Sequence, residues 1–145
     1  MTTHRLPASV ATCHWGQFDA SLAPVLTLRS GDTLVVDSVS GGPEVLPPAG
    51  FHVPPELLDI HASSPVLAPG HILTGPIAVE GAMPGDTLEV RVVDVQLRQD
   101  WGYNVIRPLA GTLPEDFDAY RHLNIPLDAQ RMVATLPWGL ELPLH

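Results

Sequence analysis

At 145 residues and 15.6 kDa the chain has room for one domain, expected here as a single β domain over residues 1–145. Its 45% apolar content and mean hydropathy of +0.16 exclude a disordered polar chain. Sixteen acidic residues against seven basic ones, all seven of them Arg, leave a formal charge of −9, which argues by repulsion against nucleic acid and anionic membrane as partners.

A single cysteine, Cys13, rules out an intrachain disulfide framework and a cysteine metal cluster. The N-terminus has no apolar leader segment, and no apolar run approaches the roughly 18–20 residues that span a bilayer, so the expected compartment is the cytoplasm. Sixteen Pro and 12 Gly are too frequent for long helices. They alternate with β-branched runs and so punctuate short strands.

In chain order, Val10 to Gly16 reads as a short strand running into a turn. Pro24 to Arg29 is a second strand, stopped by Ser30-Gly31-Asp32, and Thr33 to Val39 is a third. Ser40 to Pro55, with paired prolines and several glycines, is a loop. Pro54 to His61 suits a turn or two of helix, with Pro55 at a first helical position and Glu56 near the positive end of the dipole.

Gly75-Pro76 opens a second β block with the short strand Ile77 to Glu80. After the turn Gly81 to Asp86, Thr87 to Val95 alternates cleanly, with Leu88, Val90 and Val92 on one face and Glu89, Arg91 and Val93 on the other. It is the clearest strand in the sequence. Beyond Gly102 the pattern is irregular, and Pro126 to Leu144 suggests one more strand pair around Met132 to Thr135.

Gly31-Asp32-Thr33 is echoed by Gly85-Asp86-Thr87, which reads as recurring turn chemistry: Gly accepts positive φ and Asp bonds nearby backbone. The whole is all-β and β-sandwich-like, with mostly antiparallel short strands and long Pro/Gly-rich loops.

Of seven histidines, His4 and His145 lie at the termini and are expected in solvent, while His52 and His122 sit in polar or Pro-rich stretches. His14, His61 and His71 are the stronger candidates, His being the commonest metal ligand and titrating near neutrality. His71 lies at a loop-to-strand junction with the hydroxyl of Thr74 three residues on. The competing role for each is a ring that bonds a backbone carbonyl beneath a loop. Asp32 and Asp86 read as turn residues, and Asp37, inside an apolar strand, needs a partner or a solvent-facing position. Asp100-Trp101-Gly102-Tyr103-Asn104 either lines a polar pocket or closes an aromatic corner. Cys13 and His14 are adjacent in a strand and point to opposite faces, which argues against a thiol–imidazole pair.

The run from Gly70-His71-Ile72-Leu73-Thr74-Gly75-Pro76 through Gly81-Ala82-Met83-Pro84-Gly85-Asp86, with His14 to Asp19, Asp100 to Asn104 and Pro108 to Phe117, resembles the acetamidase/formamidase family. The resemblance implies a mostly-β, sandwich-like oligomer that hydrolyses short aliphatic amides such as formamide or acetamide to carboxylate and ammonia. It implies His71 and Thr74 as catalytic residues and Trp101 and Asn104 as substrate-binding ones. For some members of the family the resemblance implies a divalent metal, zinc foremost, for which His14 and His71 are the expected ligands.

Only the N-terminal half of the family pattern is matched. The Gly-Gly-Asn-x-Asp and Gly-Asp-Gly-His-Ala motifs that follow in family chains do not occur in this sequence. The expectation is therefore a half-site completed by a C-terminal-half partner chain, or a non-catalytic β module. An apolar face left uncovered would drive self-association.

Overall fold

The computed structural model describes residues 1–63 and 70–144. His145 lies outside them. The chain divides into two compact units, one of residues 1–44 and 54–93, the other of residues 45–53 and 94–145. Among the described residues the fold is all-β with one α-helix.

Among its described residues the first unit contains three two-stranded sheets. Strand β1 (Thr3–Leu6) runs parallel to β4 (Thr33–Val36). Strand β2 (Cys13–Trp15) pairs antiparallel with β5 (Ile72–Thr74), and β3 (Leu26–Leu28) parallel with β6 (Ile77–Val79). Across the described residues four of the six strand pairings are antiparallel, as expected, while two of the three in this unit are parallel. The reason lies in the connections. Residues 7–32 and 29–76 intervene between the paired strands, long enough for the crossover that parallel pairing needs. Strand β1 itself had no clear signal, because four residues beginning at Thr3 carry too little pattern.

Helix α1 (Pro55–Ser63) forms where the double proline sets its start. The Leu57 N–H donates to Pro54 O at 3.0 Å, and Glu56 lies in the first turn. Leu57 and Ile60, one turn apart, are both 0% exposed and anchor the core of this unit together with Trp15, Leu6 and Ile72. The His61 ring stacks on Trp15 with centroids 6.0 Å apart, and its Nε2 lies 2.9 Å from Gly41 O.

The second unit is an antiparallel sheet in the order β10-β9-β8-β7. Its strands are β7 (Trp101–Ile106), β8 (Arg121–Asp128), β9 (Val133–Thr135) and β10 (Glu141–Pro143). The pair expected around Met132 to Thr135 is present as β9 and β10. Strands β7 and β8 replace the irregular chain expected beyond Gly102. Their register, Trp101 opposite Pro126 to Ile106 opposite Arg121, is a non-local pairing that local alternation does not announce.

Trp101 is 0% exposed and donates its indole N–H to His52 O at 2.9 Å, while the Asp100 carboxylate accepts the His52 N–H at 2.8 Å. Of the two readings of Asp100 to Asn104, the aromatic corner describes Trp101.

Thr87 to Val95 departs furthest from expectation. It joins no ladder among the described residues, and Leu88, Val90 and Val92 are 70%, 73% and 78% exposed. Alternation prepares a strand for a half-buried surface, but the ladder also needs a free neighbouring edge. His4 also differs from its expected solvated state: its Nε2 lies 3.1 Å from Asp32 Oδ2.

Candidate functional site

The antiparallel pair of β2 and β5 sets the site. Its register places Cys13 opposite Thr74, His14 opposite Leu73 and Trp15 opposite Ile72. Alternation sends Cys13 and Trp15 into the core and leaves His14 half-buried on the other face, so the thiol and imidazole do diverge. Cys13 Sγ lies 3.5 Å from Thr74 Oγ1, and the Thr74 hydroxyl donates to Asp37 O at 2.8 Å. The Thr74 proton is thereby engaged, and its oxygen is left to accept from the thiol.

His14 lies between two carbonyl oxygens, Nδ1 at 3.3 Å from Gly75 O and Nε2 at 3.2 Å from Gln17 O. A neutral ring donates to one of them, whereas a doubly protonated ring donates to both. His14 and His61 thus both take the carbonyl-bonding role.

His71 lies just before β5 with its residue exposed, and its carbonyl accepts the Gly16 N–H at 2.9 Å. The backbones of residues 16 and 70 meet here. A Cβ on Gly70 would come within 2.9 Å of Gly16 Cα, so both glycines let the chains approach.

An open cleft of about 710 Å³ lies on this unit, lined by His14, Gln17, Phe18, Val36, Ser38 and Thr74 among others. It unites His14 with Thr74 and does not include His71. Of the lining residues, Ser38 carried no sequence signal, because the path of the chain beyond β4 delivers it. Gln17 lies within the His14 to Asp19 run that carries the family resemblance.

Trp101 and Asn104 belong to the second unit. Three positions apart on β7, they point to opposite faces, Trp101 buried and Asn104 exposed opposite Leu123. The structure does not bring them together. Among the described residues no three His, Cys, Asp or Glu side chains gather to hold a metal ion, and His14 has both ring nitrogens against carbonyls. These residues do not by themselves fit a complete metal centre.

Backbone N–H groups of Thr2 and Arg29, and then the His4 ring, hold the Asp32 carboxyl down to about 2. No helix among the described residues is long and apolar enough to cross a membrane.

The chain is similar to an acetamidase of Mycolicibacterium smegmatis, 45% identical over 49 residues, a match that covers 28% of this chain and 12% of that protein. The sequence model of the acetamidase/formamidase family matches residues 21–128. That match spans most of the chain and contains β5, β6 and Thr74, which form one wall of the cleft, and the chain belongs to the acetamidase/formamidase family.

Proposed function

We propose that the chain forms part of an amide hydrolase acting on carbon–nitrogen bonds of short linear amides, converting formamide or acetamide and water to carboxylate and ammonia. The observation that carries this reading is the family match over residues 21–128, which includes His71 and Thr74. The cleft that joins Thr74 to His14 supports it.

In such a reaction water adds to the amide carbon, the tetrahedral oxyanion is held by donors, and ammonia leaves after taking a proton. His14 brings an imidazole to the cleft wall, where proton transfer would require the ring to release one of its two carbonyl partners. Thr74 and Ser38 bring hydroxyls to the same cleft. His71, exposed beside it in sequence, is proposed to act with groups beyond the described residues. Asn104 offers an exposed amide for substrate, and Trp101 acts by holding β7 in place.

For a divalent metal, zinc foremost, the proposed donors are His14 and His71; His14 would first have to turn from Gly75 O or Gln17 O, and the remaining donors would come from elsewhere. A C-terminal-half partner polypeptide is the proposed source, and the cytoplasm the proposed compartment.

The test is ammonia release from formamide and acetamide by the chain alone and with a C-terminal-half polypeptide, each with and without chelator. Release only with the partner supports the half-site, and release by the chain alone overturns it. No release in either arm favours the second reading, a non-catalytic β module. The exposed stretch from Leu88 to Val93 suits that role too.

A further inference from the structure

Two turns of the same construction end in different ways. At Arg29–Asp32 the Asp32 N–H donates to Arg29 O at 3.0 Å, and the Arg29 N–H returns to Asp32 Oδ2 at 3.2 Å. At Met83–Asp86 the Asp86 N–H donates to Met83 O at 3.0 Å, and the Met83 N–H returns to Asp86 Oδ2 at 2.8 Å. Gly31 and Gly85 hold φ of 87° and 101° within them. The first turn launches β4, which lies on β1. The second launches Thr87 to Val93, which has the composition of a strand and no ladder among the described residues.

We propose that Thr87 to Val93 is a docking edge for a second copy of this chain, the two segments pairing antiparallel about Val90. Charge complementarity selects both the occupant and the register. With Val90 opposite its own equivalent, Glu89 of each copy stands opposite Arg91 of the other, and Leu88 stands opposite Val92. Sliding the pair by two positions in either direction sets Arg91 against Arg91 or Glu89 against Glu89, which is repulsive. Sliding it by one sets apolar residues against charged ones.

Within one chain Glu89 and Arg91 already form an ion pair at 2.5 Å, so they share a face, and pairing joins two such ion pairs into a ring of four charges. The other face gathers Leu88, Val90 and Val92 from both copies into one stripe. Asp86 and Asp94 would oppose each other at either end and bound the ladder at Thr87 and Val93. Each is already occupied, Asp86 with the Met83 N–H and Asp94 with Gln96 Nε2 at 2.9 Å.

This pairing does not depend on the amidase reading, and its readout is mass rather than ammonia. The full chain is compared by analytical ultracentrifugation with Glu89→Arg, with Arg91→Glu, and with an equimolar mixture of the two variants. Circular dichroism confirms that each is folded. The wild type is expected to associate reversibly as it is concentrated. Each single variant sets like charges opposite one another and is expected to weaken association about tenfold. The mixture joins an all-acidic strand to an all-basic one and is expected to recover the dimer. A wild type that stays monomeric at high concentration overturns the proposal and leaves the edge to a different polypeptide. Single variants that associate as tightly as the wild type also overturn it, by placing the contact on another face.

Discussion

The Asp32 carboxylate accepts the Thr2 N–H at 2.8 Å, joining residues thirty positions apart. Its other oxygen takes the Arg29 N–H at 3.2 Å and lies 3.1 Å from His4 Nε2. One acid therefore closes the turn before β4 and ties down the start of β1.

Those bonds favour the ionised carboxylate, so the Asp32 pKa of about 2 lies below its ordinary 3.8. A pKa lowered in the folded state contributes stability above about pH 4 that is lost as the pH falls toward about 2. Asp32→Asn is expected to flatten the acid limb of the stability curve across that window. Urea titrations at stepped pH check this, and an unchanged acid limb would show that other carboxylates dominate it.

Trp101 is the largest fully buried side chain in its unit. Trp101→Ala is expected to cost about 3–5 kcal/mol, the usual range for emptying such a site. Trp101→Phe is expected to cost less and chiefly to leave the His52 carbonyl unpaired, at about 1–3 kcal/mol. Denaturant midpoints followed on the second unit's sheet measure both.

Thr74 spends its proton on Asp37 O. Thr74→Val is expected to lower stability by about 1 kcal/mol, whereas Thr74→Ser keeps the donor and stays near wild type. Should Ser be damaging and Val stay near wild type, the methyl group and not the hydroxyl is what holds β5.

His14 and His71 are expected to separate in a stability measurement. His14→Ala removes a ring held between Gly75 O and Gln17 O and should cost about 1–2 kcal/mol. His71 is exposed, so His71→Ala should stay within about 0.5 kcal/mol. Thermal melts decide, and a larger loss at His71 than at His14 would contradict the site as described.

Much of this molecule was legible in one dimension. Pro55 and Glu56 marked the start of a helix that runs from Pro55 to Ser63. The Gly-Asp echo marked two turns with the same hydrogen bonds. The divergence of Cys13 from His14 followed from strand period alone. These are local matters, set by φ, by side chains bonding nearby backbone, and by alternation.

What the tertiary structure decided is which edges meet. Alternation made Thr87 to Val95 the clearest strand, yet a ladder needs a second strand, and none among the described residues pairs with it. The chain beyond Gly102 carries an irregular pattern, yet Trp101 to Ile106 is the edge of a four-stranded sheet, because Arg121 to Pro126 supplies its hydrogen bonds. The same holds for the site. The family resemblance grouped His71, His14 and Thr74; the cleft brings Thr74 to His14, because the β2–β5 register carries that alignment and distance along the chain does not. Residue type and period determine what a segment is suited to form. Pairing across long connections, a cost in chain entropy offset only by contacts made at the far end, determines whether it forms.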